Sequence, residues 1–555
     1  LPPLARRVIS VEVGLPRRAE ADIPAAGWLM PISPARSKAT RAKERWMSAR
    51  TTCPLLGSAA ALALLGSVCG AMAQVTLDGT ANPSIEGPLD GPDYQIRAEL
   101  GRRAGRNLFH SFERFGLRTG ESASFSGPDA IRNVISRVTG GEPSNIDGTL
   151  RSTIPGADFY FLNPAGIMFG PNASLDLQGS FHVSTADELR FEGGERFSAD
   201  LDVASSFTVA PPEAFGFLGT EPGAIKVDRS TLVVPAGKAF SIVGGDVTID
   251  GGNNGAVSGG DDGTVRAEAG QITLAAVGAE GRLTVATGEL EAETRRDISL
   301  TDQAQVDTTG DGGGTIRISG GRIVAENAEV FADNNGVRNG RDGLDIDAEV
   351  LRVRRGSALT ADALDEGTGG DVIVRAGTLE VSGDSRLAAD TFAQGSAGTV
   401  TVMADGLVLD NLGFISSDTS GEGDAGTVTV RANDVVLRRS FIRSDADGDS
   451  EGDAGAVTVM ADDLVLDNLG FISSDTSGEG DAGTVTVRAN DVILRRSFIR
   501  SESDGEGDAG AVTVMADDLV LDNIGFISSD TFGEGDAGTI TVSADDLILR
   551  DGGSI

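Results

Sequence analysis

The stretch Gly423-Asp424-Ala425-Gly426-Thr427-Val428-Thr429-Val430-Arg431, followed by Val435-Val436-Leu437 and then Ser440-Phe441-Ile442, decides the fold. Three short β-type runs are separated by turn residues, and the pattern returns at every rung. Its opening tetrad recurs at Gly395, Gly452, Gly480, Gly507 and Gly535, a period of 27 to 29 residues. Runs of three to five residues broken by Gly and Asp are too short for helices. A period of this size marks stacked units that bury a core only by covering one another. Three strands per unit predict one rung of a parallel β-helix. Within the first run Val400 and Val402 alternate with Thr399, Thr401 and Met403, so the valines point inward and the others to solvent. Leu407 and Leu409 do the same in the second run.

Working outward, the residue after the second run reads Asp410, Arg438, Asp467, Arg495, Asp522, Arg550. Equal residues in register would make like-charge columns, which cross-strand pairing disfavours. Alternating signs predict instead a ladder of weak, exposed ion pairs. The position after the first run alternates as well, as Met403, Arg431, Met460, Arg488, Met515, so the repeat reads as a duplicated two-rung unit. Looser copies at Gly314–Ile318, Gly343–Asp347 and Gly370–Val374 keep the spacing. They place the start of the solenoid near residue 225 and predict roughly twelve rungs, on the order of 55 to 60 Å of stack. Ile555 aligns with Ile527 inside a third strand, so the sequence is expected to be a fragment of a longer chain.

The chain carries 46 Lys and Arg against 83 Asp and Glu, a formal charge of -37. Residues 1–73 hold ten of the basic and four of the acidic residues, both Trp and both Cys; without them 36 face 79, a net charge of -43. Leu55 to Val68 is apolar but too short to span a bilayer, with Arg50 before it and Ala71-Met72-Ala73 after it. Residues 47–73 therefore read as a secretory signal peptide cleaved after Ala73, and residues 1–46 as upstream sequence or an extended basic segment. A cysteine-free secreted chain must take its stability from a continuous core rather than from disulfides. The acidic surface argues against nucleic acid as a partner.

Between residues 74 and 210 the repeat is absent, and Phe109, Phe112, Phe115, Phe125, Phe159, Phe161 and Phe169 offer an aromatic core. A solenoid needs its first open rung covered, so a distinct capping domain is expected here. Four motifs occur in order: Asn107-Leu108-Phe109-His110-Ser111-Phe112, Ile135-Ser136-Arg137-Val138-Thr139-Gly140-Gly141, Pro143-Ser144-Asn145-Ile146-Asp147-Gly148 and Asn163-Pro164-Ala165-Gly166-Ile167-Met168-Phe169-Gly170. Together they resemble the secretion domain of the filamentous haemagglutinin family, the exported partners of two-partner secretion systems. The resemblance covers roughly Gln74 to Arg190. It implies a short β-helix with extra hairpins, recognised by a dedicated outer-membrane β-barrel transporter and threaded outward unfolded. It also implies that Asn163, Pro164, Ala165 and Gly166 match the family's N-P-x-G motif, which matters for secretion; a turn with Pro at its second position is the purely structural reading.

The fold class expected is therefore all-β: a right-handed parallel β-helix with an amino-terminal β-helical secretion domain at 74–210, an irregular β-helix at 211–394 and regular repeats at 395–555. No catalytic site, cofactor or metal is expected. His110 and His182 each stand beside a Phe in a β-type run, where packing is the ordinary role. The loops from Asp445 to Glu451 and from Glu502 to Asp508 gather carboxylates as calcium sites do, but read more simply as solvated turns. The expected function is a secreted, adhesin-like surface exoprotein, with a host-cell, carbohydrate or matrix ligand open. The alternative is a β-helical carbohydrate-active enzyme or a calcium-dependent matrix protein, which would need one singular acidic site.

Overall fold

The computed structural model describes residues 74–219, 221–252, 263–448 and 450–555. The signal peptide read at 47–73 and the segment before it lie outside the described residues. Within them the chain is all-β, with one short helical turn at Ala98–Leu100, and winds into a β-solenoid of about 16 turns.

The first strand of each rung pairs in parallel with the next, and one register line runs unbroken through the stack. It passes from Phe109 through Ile135, Tyr160, His182, Ser241, Thr273, Arg317, Asp345 and Ile373 to Thr401, Thr429, Thr458, Thr486, Thr513 and Thr541. The parallel ladder thus begins at Asn107–Phe115, not near residue 225, and 210 marks no break in it. Ile167–Phe169 pairs directly with Ile225–Asp228, and Phe181–Ser184 with Ala239–Gly244. The repeat is hidden there because long excursions separate consecutive rung strands.

Alternation places the neighbouring residues inside. Leu108, Val134, Phe159, Phe181 and Phe240 lead into Ile272, Ile316, Leu344, Val372, Val400 and Val428, all fully buried in one continuous core. Each buried aliphatic or aromatic side chain is worth about 1.5–3 kcal/mol. The core is built of phenylalanines at one end and of valines, leucines and isoleucines at the other. Rungs approach most closely at the glycine turns: a Cβ on Gly455 would run into the carbonyl oxygen of Gly426, so no side chain is tolerated there.

The charge column is in register as the sequence predicts, with Asp410, Arg438, Asp467, Arg495 and Asp522 opposed in turn. Its ion pairs are sparser than the pattern suggests. Arg550 meets Asp522 at 2.9 Å and Arg495 lies 3.9 Å from it, but Asp410 is approached by Arg439 at 4.0 Å rather than by Arg438. Arg439 takes a left-handed φ of 50°, and this turn conformation carries its guanidinium toward Asp410. A second column was not foreseen: Phe414, Phe441, Phe471, Phe498 and Phe526 stack with centroids 4.7–5.2 Å apart and planes within 16°.

Near the amino-terminal end a second layer covers the outward face. Arg196–Ser198, Glu188–Phe191, Pro212–Phe217, Gly281–Thr284 and Leu290–Ala292 form an antiparallel sheet. Beneath it lies a separate core in which Phe109, Ile135, Tyr160 and Leu162 from the rungs meet Phe191, Phe197, Phe215 and Phe217 from the hairpins. Phe109 sits 5.0 Å from Phe197 and 5.9 Å from Phe191.

Candidate functional site: a buried turn among four motifs

The four ordered motifs occupy adjoining rungs. The first and second pair strand to strand, His110 opposite Ser136 and Ser111 opposite Arg137. The third and fourth do the same, Ser144 opposite Ile167 and Ile146 opposite Phe169.

The Asn163–Gly166 tetrad closes the turn after the strand Asp158–Leu162. Gly166 N–H donates to the Asn163 carbonyl at 3.1 Å, the bond of a four-residue turn. The Asn163 side chain is only 1% exposed and is fully engaged. Its Nδ2 donates to the Glu142 carbonyl at 3.0 Å and to Ser144 Oγ at 2.9 Å, while Oδ1 accepts from Ala165 N–H at 3.1 Å. Asparagine suits the position because it carries a donor and an acceptor on one short stem. The turn also ties three rungs: Ser144 N–H donates to the Gly166 carbonyl and Gly223 N–H to the Pro164 carbonyl, both at 3.0 Å. Gly166 adopts φ 124°, and a Cβ there would press on the Ala224 carbonyl at 3.2 Å, so glycine is required. Pro164 and Ala165 are half-buried, and Met168, just beyond, is exposed between Asn145 and Lys226. The tetrad read from the sequence is thus brought together as one unit, but its asparagine faces inward.

The arginine of the second motif has a role that the sequence did not reveal. Arg137 is buried, stacks 4.2 Å over the Phe197 ring and donates to Ser111 Oγ at 2.8 Å, Ser205 Oγ at 2.8 Å, Thr80 Oγ1 at 2.9 Å and the Ser198 carbonyl. It clamps the hairpin layer and the first described strand region onto the rungs. Burial pulls its pKa down to about 10, against the opposing pull of Asp78. Asp78 itself accepts from Ser111 Oγ at 2.6 Å and Thr139 Oγ1 at 2.8 Å. A charged side chain at the centre of a β-type motif, between Ser136 and Val138, is the sequence signal for such a clamp.

The two histidines are packed. His110 is fully buried among Phe112 and Phe125, neither ring nitrogen has a hydrogen-bond partner, and burial lowers its pKa to about 3. His182 stacks 4.7 Å from Tyr160 and its Nδ1 lies 2.9 Å from Ser241 Oγ; burial takes it down to about 4, against the charge of Asp158. Among the described residues no group of three or more His, Cys, Asp or Glu could hold a metal ion. In the acidic loop after Arg443, Asp445 turns inward and pairs with that arginine instead.

Comparison with known proteins accords with this arrangement. The TPS secretion domain family matches residues 73–337, a span that includes the four motifs, the hairpin layer and the rungs beneath it. No curated protein matches the chain. Among solved structures, the HMW1 secretion domain from Haemophilus influenzae is 14% identical, with 86% of this chain and 98% of that chain covered and a TM-score of 0.29. The filamentous hemagglutinin secretion domain is also 14% identical, covers 78% of this chain and 90% of that chain, and has a TM-score of 0.25. Similarity of that size adds no weight of its own, whereas the family match coincides with the covered half of the solenoid. Residues 73–337 therefore match the TPS secretion domain family, which supports reading the chain as a two-partner secretion exoprotein.

Proposed function

We propose that the chain is a secreted, adhesin-like surface exoprotein, passed through a dedicated outer-membrane β-barrel and displayed outside, where the regular rungs act as spacer or binding surface. The observation that carries this reading is the TPS secretion domain continuous with a parallel stack. Both cysteines of the sequence precede residue 74, so no disulfide within the stack obstructs threading. Each rung is held chiefly by its neighbours, so the stack can form one rung at a time as it emerges.

The Asn163–Gly166 tetrad fits a recognition role in the unfolded chain. Once folded, Asn163 spends its donors and its acceptor inside the domain. A transporter that reads it must do so before the turn closes, and closure then withdraws the signal. The proposal assigns Asn163, Pro164, Ala165 and Gly166 to secretion recognition on this basis.

The test is secretion of the full chain from cells that make the cognate barrel and from cells that lack it. Barrel-dependent appearance in the medium is expected. Retention in the periplasm beside a working barrel would overturn the reading.

A further inference from the structure

Two residues beyond the third strand of successive rungs, from Glu329–Phe331 to Phe498–Arg500, an acid turns inward. Asp333, Asp362, Asp390, Asp418, Asp445 and Asp475 occupy this place in successive rungs, and Glu502 continues the column. The first five are between 3% and 8% exposed. They are joined by a repeated bond: the N–H of each acid donates to Oδ1 of the acid one rung earlier, at 2.8–2.9 Å from Asp362 through to Glu502. Thr360, Ser416 and Ser473 add hydroxyl donors to Asp333, Asp390 and Asp445.

Charge compensation along the column is uneven. Arg443 meets Asp418 at 2.7 Å and Asp445 at 3.4 Å, and Arg500 meets Asp475 at 2.8 Å and Glu502 at 2.7 Å. Toward the amino-terminal end Arg386 is the cation acting on Asp333 and Asp362, Asp390 feels both Arg386 and Arg443, and Arg386 forms no ion pair with any of the three. Asp307 at that end and Asp447 beside Asp445 add further negative charge. Carboxylates one rung apart, out of water and in excess over their arginines, cannot all ionise without cost.

We propose that this column is a proton-binding spine: the rungs from Asp333 to Glu502 take up protons as they stack, and they hold together more tightly in mildly acid than in neutral medium. Burial raises every acid from Asp333 to Asp475, and the charge of neighbouring carboxylates lifts Asp362 and Asp418 further. Asp475 is pushed up to about 7. A carboxyl raised on folding gives stability that is fully present below its unfolded value of 3.8 and is lost as pH rises through the folded value. The window is therefore from about 4 to about 7. His110 and His182 shift in the opposite sense but lie in the secretion domain, so the readout must be local to the rungs.

Segment-resolved hydrogen exchange of the full chain across a urea series, corrected for intrinsic exchange rates, provides that readout at about pH 7.5 and about pH 5.5. For peptides within 330–505 the urea midpoint is expected to be higher at the acid pH. Asp362→Asn with Asp390→Asn keeps both Oδ1 acceptors but removes two titrating groups, so it should raise the neutral midpoint and shrink the shift. Asp418→Asn singly serves as the milder variant. A wild-type midpoint that is unchanged or lower at acid pH overturns the proposal, as does a variant that keeps the whole shift.

Discussion

The register line that starts at Phe109 and ends at Thr541 is one geometrical position used in two ways. In the secretion domain it holds Phe109, Ile135 and Tyr160, roofed by hairpins and sealed into a second core. In the regular repeats it holds Thr401, Thr429, Thr458 and Thr486, half-exposed and without a roof. The backbone ladder is the same in both. What differs is whether the outward face is closed by a unique set of long-range contacts or left as a repeatable surface. The first arrangement fixes one closed form that no neighbouring rung can replace, and the second can be lengthened by duplication.

The contrast is broken most severely at the roofed position. Phe109→Ala removes a side chain shared by both layers and is expected to cost about 3–5 kcal/mol. Thr429→Ala, on the same register line, should change stability by no more than about 0.5 kcal/mol. Urea unfolding of the full chain, followed by segment, checks both. Comparable losses at the two positions would mean that the hairpin layer contributes little.

Next in size is Asn163→Ala. It leaves the buried Ser144 hydroxyl without its Asn163 partner and removes the bond to the Glu142 carbonyl, an expected loss of about 1–3 kcal/mol. Its export then separates two roles of the tetrad. If export simply follows stability, Phe109→Ala is secreted worse than Asn163→Ala. If the tetrad is read in the unfolded chain, Asn163→Ala is secreted worse although it is the more stable of the two.

The smallest effect sharpens the pH contrast between the halves. His110 is held neutral, with its pKa lowered from 6.5 to about 3, so the unfolded chain binds the extra proton between those values. Its contribution is intact above 6.5 and is lost as pH falls toward about 3. His110→Leu removes two unpartnered nitrogens and is expected to stabilise the secretion domain by about 1 kcal/mol. It should also flatten the acid limb of that domain's stability profile, which denaturation at stepped pH measures.

Legibility in the sequence followed the same division. The regular half was readable because each rung restates the last: Val400, Val428, Val457 and Val485 appear at one spacing and occupy one buried column. In the secretion domain that spacing is broken by excursions such as the one between Ser184 and Ile225. The rungs there were reached only through the four motifs, and their continuity with the repeats was missed. The tetrad was legible as a turn, but the inward aim of Asn163 depends on Glu142 and Ser144 in the rung below. The acid column escaped notice for a related reason. Asp418 follows Ser416-Ser417 as a turn aspartate would, and the Asp445 N–H and the Arg443 guanidinium one rung on give it a place inside. Residues whose role is set by the next rung carry no local signature.

Threading before stacking is tested most directly by a reversible lock on the stack. Thr429 and Thr458 oppose each other in parallel register on the outward face. Cysteines at both places lie within the Cα separation that a disulfide bridges. With the cognate barrel present, Thr429→Cys with Thr458→Cys should stall in the periplasm when oxidised there and reach the medium when kept reduced. Passage of the chain with the disulfide already closed would contradict export of an unfolded chain.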